Sequence, residues 1–326
     1  GDLSQFTSII LPDAFNGYSD FELWAPIMDD NSELLKKGNI LWAGGENAYI
    51  IEVVKSTFDD KGEKSYHIKG RSLERLLCDR IIWGGYTKSG FASNIMYDLV
   101  NRNFINPTNS KRKLPWLVNA EDLNLGKKIH QYQKTGGEVY DALTNLASDS
   151  DIGFSIIFDP RNKQLIFEVR TGEDRTIDNV SCNDPVVFST DLEDILSSTY
   201  YSNNEDEKTM CLVQGEDKGT TRKSITTGAI DGTGYNRREL YVDARDLQSE
   251  VQNGDGTTTP LTDEQYTATL RQRGNEKLAE HVATETFDAK IRQFGDVQYE
   301  FGKDYFKGDK VTVIDKQLMV QVSARI

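Results

Sequence analysis

Histidine and cysteine, the side chains that most often hold metals or act as nucleophiles, are scarce here, with three of each in 326 residues. Cys78, Cys182 and Cys211 are odd in number and far apart, and no two form a CxxC pair. That argues against a disulfide framework and a thiolate zinc site, and predicts three buried thiols in a reducing compartment. His67, His130 and His281 are isolated from one another, with neither HxH nor HExxH spacing, so metal hydrolysis has no support. There is no GxSxG elbow for an acyl-transfer serine and no GxxxxGK[ST] loop to cradle phosphates. Gly232-Thr233-Gly234 lacks the third glycine of a dinucleotide fingerprint. Asn253 to Gly256 lacks the alternating acidic ligands and distant Glu of a calcium loop, and reads as a solvated turn. No apolar run reaches the ~18 residues of a membrane span, and no basic-then-apolar leader opens the chain. The expectation is a soluble protein that makes no stable membrane insertion. It has no catalytic, cofactor-binding or metal-ligating residues to name.

Positive charge is also short. With 38 Lys and Arg against 52 Asp and Glu, the net charge is −14, which repels phosphate backbones and anionic membrane surfaces alike. No specific nucleic-acid binding is therefore expected. Lys111-Arg112-Lys113 is a dense cationic run, and without interleaved aromatics it reads as an exposed loop. Carboxylates are plentiful enough for a glycosidase pair, but nothing in the sequence selects one.

What is present is a globular composition, 37% hydrophobic and 28% charged, in a chain long enough for about two or three domains of ordinary size. Residues 3 to 54 alternate short apolar runs with turn signals, and a further strand-like stretch follows at Ser65 to Gly70. Phe21 and Leu23 share one face of a strand and Glu22 and Trp24 the other. Asn16-Gly17, Lys37-Gly38-Asn39 and Asp59-Asp60-Lys61-Gly62 are turns. Five or six strands in so short a span suggest a small barrel or sandwich. Ser72 then stands where it would cap a helix carrying Leu73, Leu76 and Leu77. Helical spacing recurs in Phe91, Ile95, Met96, Leu99 and Val100, and again in Val139, Ala142, Leu143, Leu146 and Ala147. A hairpin from Gly153 to Val169 closes this α/β stretch.

Residues 178–204 read as an acidic, loop-rich seam. Strands follow at Met210 to Gln214 and Arg238 to Val242. Thr262 and Gln265 form a capping box that opens a helix extending to about 285. Strands return at Phe287 to Ile291, Val297 to Phe301, Asp304 to Ile314 and Leu318 to Val322, with Gly308-Asp309 as the turn into the third of these. Trp42 and Trp83 sit in apolar runs and are expected to be buried. Gly1-Asp2 reads as an added leader, and Ile326, on strand-like residues without a polar tail, as a point beyond which the natural protein continues.

Eight stretches resemble, in collinear order, the baseplate-hub or tail-associated proteins of siphophages. They are Asp20-Phe21-Glu22-Leu23, Leu35-Lys36-Lys37-Gly38-Asn39, Gly70-Arg71-Ser72-Leu73-Glu74-Arg75-Leu76-Leu77 and Arg80-Ile81-Ile82-Trp83 in the first part. Val187-Phe188-Ser189, Glu239-Leu240-Tyr241-Val242-Asp243-Ala244-Arg245-Asp246, Gly274 with Leu278-Ala279, and Asp304 to Val311 follow. That family is similar in fold to the central hub of contractile-phage baseplates.

The resemblance implies an α+β chain with two β-barrel-like tube domains carrying α/β and helical insertions. The expected boundaries are 1–83 for the first tube domain, 84–186 for an α/β insertion lying outside the ring, and 187–326 for the second tube domain with a helical insertion at 262–285. It also implies a non-enzymatic homotrimer at the virion tail tip, assembled in the bacterial host cytoplasm. Such a trimer would continue the tail tube for DNA exit and contact a distal-tail or tube ring protein, the tape-measure protein and receptor-binding proteins. Family members often continue into peptidoglycan-cleaving or receptor-binding parts that this chain lacks. The alternatives are a carbohydrate-binding adhesin, with exposed aromatics such as Trp24, Trp42 or Trp83 at a groove, and a cell-wall hydrolase.

Overall fold

The computed structural model describes residues 1–3, 5–28, 32–45, 47–58, 62, 64–192, 194–216, 221–252, 258–292 and 297–326. The expected turn at 59–61 and the polar loop at 253–257 lie outside them. Contacts divide the chain into two units. One is Gly1–Ser189 with Gln293–Ile314 and Gln321–Ile326, and the other is Thr190–Arg292 with Asp315–Val320. The fold is mixed α/β, mostly strands with few helices.

The first unit opens with β1 (Ser8–Ile10), β2 (Asp20–Pro26), β3 (Ile40–Gly44), β4 (Asn47–Phe58) and β5 (Lys64–Ser72). They pair antiparallel in the spatial order β1-β2-β5-β4-β3. The alternation predicted for β2 holds, since Phe21, Leu23 and Ala25 are buried. On the other face Glu22 holds His67 and Lys69, each at 2.8 Å, while Trp24 stacks on the His67 ring at 4.6 Å.

Leu73–Asp79 is a 3₁₀-helix rather than an α-helix, and Ser72 does not cap it. The Ser72 hydroxyl instead accepts the Ser19 N–H at 3.0 Å, tying the helix start to the residue that precedes β2. Next come β6 (Gly85–Phe91), α1 (Ala92–Val100), β7 (Leu117–Asn119), β8 (Lys128–Thr135), α2 (Val139–Ser150), β9 (Gly153–Asp159) and β10 (Gln164–Arg170). A single wider, π-type turn, Asn101–Ile105, prolongs α1. β10 lies between β7 and β9, and β6 pairs with β8.

Apart from Phe91, which ends β6, both helices bury the residues their spacing predicts, and these share one core with Leu73, Leu77, Phe154 and Phe167. Each buried Val, Leu, Ile, Met or Phe among them contributes roughly 1.5–3 kcal/mol. The expected boundary at 83/84 is therefore not a packing boundary, because Leu73 and Leu77 pack into the same core as the helices beyond it. β11 (Asp174–Arg175) and β12 (Val187–Ser189) end this stretch.

In the second unit, β13 (Ile195–Asn203) pairs antiparallel with the strand Thr284–Ile291. β14 (Met210–Gln214) lies between β15 (Ser224–Gly228) and β16 (Glu239–Asp243), and β17 (Glu250–Gln252) pairs with β18 (Thr258–Pro260). α3 (Asp263–Ala279) carries the predicted capping box: the Gln265 N–H donates to the Thr262 hydroxyl at 3.2 Å, and the Thr262 N–H to the Gln265 side chain at 2.9 Å. Tyr266 and Leu270 of α3 share a core with Cys211, Val213, Val242 and Ala244.

Two expectations fail here. The helix ends at Ala279, not near 285, and Thr284–Ile291 is β19. The presumed loop at 195–203 is a nine-residue strand. β13 is mostly exposed and largely polar on both faces, so it lacks the alternation that marks a half-buried strand.

β20 (Lys310–Asp315) returns to the first unit and runs parallel to β11 and β12. β21 (Val320–Arg325) pairs with β20. The turn into β20 is built on Gly308-Asp309. Gly308 has φ +95°, and a Cβ there would strike the Phe15 ring. The buried Asp309 carboxylate accepts the Glu173 N–H at 2.8 Å, the Phe306 N–H at 2.9 Å and the Arg175 Nε–H at 2.9 Å. Arg325 donates to the Gly308 carbonyl, and Arg325 and Lys310 both pair with Asp151.

Contacts group residues 297–314, expected in a second domain at 187–326, with the N-terminal part of the chain. The strand expected at Val297 to Phe301 is reduced to a single bridge between Phe301 and Tyr305. Tyr299, Phe301, Tyr305 and Phe188 pack there edge to face at 5.3–5.7 Å, so side-chain packing rather than a ladder holds the segment. The last strand begins at Val320 rather than Leu318, because the Asp315 carboxylate accepts the Gln317 and Leu318 N–H groups and forms a turn first.

Candidate functional site

The residues weighed for chemistry do not converge. Among the described residues no group of three or more His, Cys, Asp or Glu side chains is placed to hold a metal ion. His67 is engaged by Glu22 and Trp24. Cys211 is fully buried and its burial pushes the thiol up, whereas Cys182 is exposed, contrary to expectation. Gly234 only starts a short 3₁₀ turn.

A cleft of about 420 Å³ in the first unit does bring together residues that the sequence kept apart. One wall is the stretch leading into β6, with Ile82, Trp83 and Tyr86; the other is the segment after α1, from Arg102 to Arg112. Two hydrogen-bond devices set its shape. The Asn109 side chain accepts the Lys111 N–H at 3.1 Å and starts the 3₁₀ turn Ser110–Arg112. Arg112 then donates from Nη2 to the Ile81 carbonyl at 2.6 Å and to Asn103 Oδ1 at 3.0 Å, while Arg80 Nε donates back to the Arg112 carbonyl at 3.0 Å. Asn103, only 4% exposed, is oriented by its own bond to the Leu99 carbonyl at 2.8 Å.

The Arg112 guanidinium lies over the Trp83 ring, 4.9 Å from its centroid. Burial, with the Arg80 charge beside it, holds Arg112 below its ordinary pKa, yet an arginine remains a cation in any ordinary buffer. Arg102 differs: Asp98 pairs with it at 2.8 Å and it stacks on Tyr86 at 5.3 Å.

The expected burial of two tryptophans is overturned. Trp83 is 70% exposed and Trp42 46%. In Ile81-Ile82-Trp83 only Ile82 is buried, so an apolar run that read as core is a strip with one residue inward. Trp42 lies on the edge strand β3, its indole N–H donating to the Gly45 carbonyl at 3.1 Å. The interleaved aromatic missing from Lys111-Arg112-Lys113 is supplied in space by Trp83. No local sequence pattern could have shown that.

The fold has counterparts among phage tail proteins. Prophage tail protein gp18 from Listeria monocytogenes matches with TM-score 0.53 at 14% identity, over 99% of this chain and 84% of that one. A tail protein from Neisseria meningitidis gives 0.53 at 16%, over 98% and 84%. The 43 kDa tail protein of prophage MuSo2 from Shewanella oneidensis gives 0.50 at 12%, over 95% and 84%. No curated protein matches the chain. The chain therefore shares its fold with phage tail proteins. The chain belongs to the siphovirus ReqiPepy6 Gp37-like protein family, whose model matches residues 1–326.

Proposed function

We propose that this protein is a structural, non-enzymatic subunit of a siphophage tail tip: a homotrimeric hub that continues the tail tube and through which DNA leaves. The observation that carries the reading is the match of the siphovirus family along the whole chain, 1–326. The fold, shared with prophage tail proteins over 95–99% of the chain, supports it. In this reading β-rich parts of both units form the ring wall. The neighbours are a distal-tail or tube ring protein above, the tape-measure protein within and receptor-binding proteins outside, and the particle is assembled in the host cytoplasm.

The net charge of −14 fits a wall past which DNA must slide, because each cationic phosphate contact would strengthen binding and slow passage. Light scattering across a concentration series, with and without the adjoining ring protein, tests the assembly. The expected mass is that of a trimer in at least one condition, and a monomer throughout would overturn the reading. Failure to clear purified cell walls in a turbidity assay is also expected, and clearance would point to a hydrolase.

A further inference from the structure

We infer that the Trp83–Arg112 cleft is a binding site for an anionic saccharide, a sugar ring carrying a carboxylate or a phosphate. The inference stands apart from the hub reading and needs only the folded first unit.

Charge is the first argument. The chain has 52 acidic residues, yet none of the residues lining this cleft is Asp or Glu. Arg112, Arg80, Lys111 and Lys113 meet no carboxylate among the described residues. Arg112 spends Nη2 on Ile81 and Asn103, and its Nε and Nη1 donate to no acceptor among them. A guanidinium held by backbone and amide bonds, next to a second one and without a counter-ion, is set to receive an anion through charge-assisted hydrogen bonds.

Shape and lining then choose the ligand. A volume of about 420 Å³ falls within the ~300–1,000 Å³ of small-molecule sites, which is too small for a nucleic-acid duplex. The surrounding charge of −14 also repels a polyanion far more than a single anionic group. Trp83 offers a ring that is 70% exposed and held on one side by Arg112, so the free side can accept the C–H face of a pyranose. Asn106, Asn109 and Thr108 are exposed along the same cleft. Beside its bond to Asn101, Asn106 offers its Oδ1 as an acceptor, and beside its bond from Lys111, Asn109 offers its Nδ2 as a donor, which is what neighbouring sugar hydroxyls require.

Isothermal titration of the full chain with glucuronic acid, glucose 1-phosphate, glucose, inorganic phosphate and a dT10 oligonucleotide tests this. Saturable binding is expected for at least one of the two anionic sugars, about tenfold tighter than for glucose or inorganic phosphate. Whichever of the two binds tighter identifies the anion as carboxylate or phosphate. Because Arg112 also holds Asn103 and Ile81, Arg112→Gln could unsettle the loop, so Trp83→Ala, which removes an exposed ring, decides the matter. It is expected to weaken anionic-sugar binding about tenfold with an unchanged melting temperature. The inference is overturned if neither anionic sugar saturates, or if Trp83→Ala binds as wild type. It also falls if inorganic phosphate binds as tightly as glucose 1-phosphate, or if dT10 binds more tightly than either sugar.

Discussion

At Gly308 two independent constraints fall on one residue. Its φ of +95° costs an L-residue roughly 1–2 kcal/mol, and a Cβ would enter the Phe15 ring, an overpacking cost of typically 1–3 kcal/mol. Gly308→Val should therefore destabilise the first unit by about 3 kcal/mol, seen as a clear fall in melting temperature. Gly302 also has a positive φ, +84°, but open space around it, so Gly302→Ala should cost only about 1 kcal/mol. Equal losses in the two variants would show that the Phe15 contact does not matter.

Glu74 supplies a pH signature. Burial raises its carboxyl above the ordinary value, against the opposing bonds from Ser72 and the Ile156 N–H and the charge of Lys307. The native state therefore holds a proton that the unfolded chain has released, and stability falls as pH rises from about 4.5 through the raised value. Glu74→Gln keeps an acceptor for Ile156 and removes the titration. The melting-temperature gap between variant and wild type should widen in the variant's favour between pH 4.5 and neutrality, and a gap constant with pH would contradict this. Of the cleft, the cationic run was legible from sequence, and Trp83 only as one of three aromatics in the adhesin alternative; that the two meet was not. Trp83 meets Arg112 because α1 and its wider turn carry residues 102–112 back to the start of β6, a tertiary event that local composition does not encode.

Elements with strong periodicity were readable and those without it were not. β2, α1, α2 and the Thr262 cap follow from apolar spacing or capping chemistry. β13 was missed because the residues of this largely exposed strand carry no hydrophobic alternation; its order comes from its ladder with β19. α3 makes a prediction of its own scale. Gly274 lies on its buried side, and a Cβ there would be 2.6 Å from both the Val213 and Thr227 side chains. On a free helix Gly→Ala gains about 1 kcal/mol. Here the close approach to β14 and β15 should reverse the sign, so Gly274→Ala is expected to destabilise the second unit by about 1–2 kcal/mol net. Stabilisation in a urea titration would show that the sheet yields to the methyl group.

For the whole molecule, the eight collinear stretches carried the family, and the matched residues 1–326 show that the likeness was chain-wide. The domain boundaries were less accessible, since a strand can be recognised locally without revealing which unit it will join. β20 illustrates this: its turn at Gly308-Asp309 is bound to Phe15, Glu173 and Arg175, residues more than 130 positions upstream. The proposed ring of three copies is tested most directly by electron microscopy of the purified protein. A three-fold ring with a central hole wide enough for duplex DNA, its inner wall richer in Asp and Glu than in Lys and Arg, is the expected image. Particles without three-fold symmetry at every concentration, or a ring whose lumen is lined mainly by Lys and Arg, would contradict it.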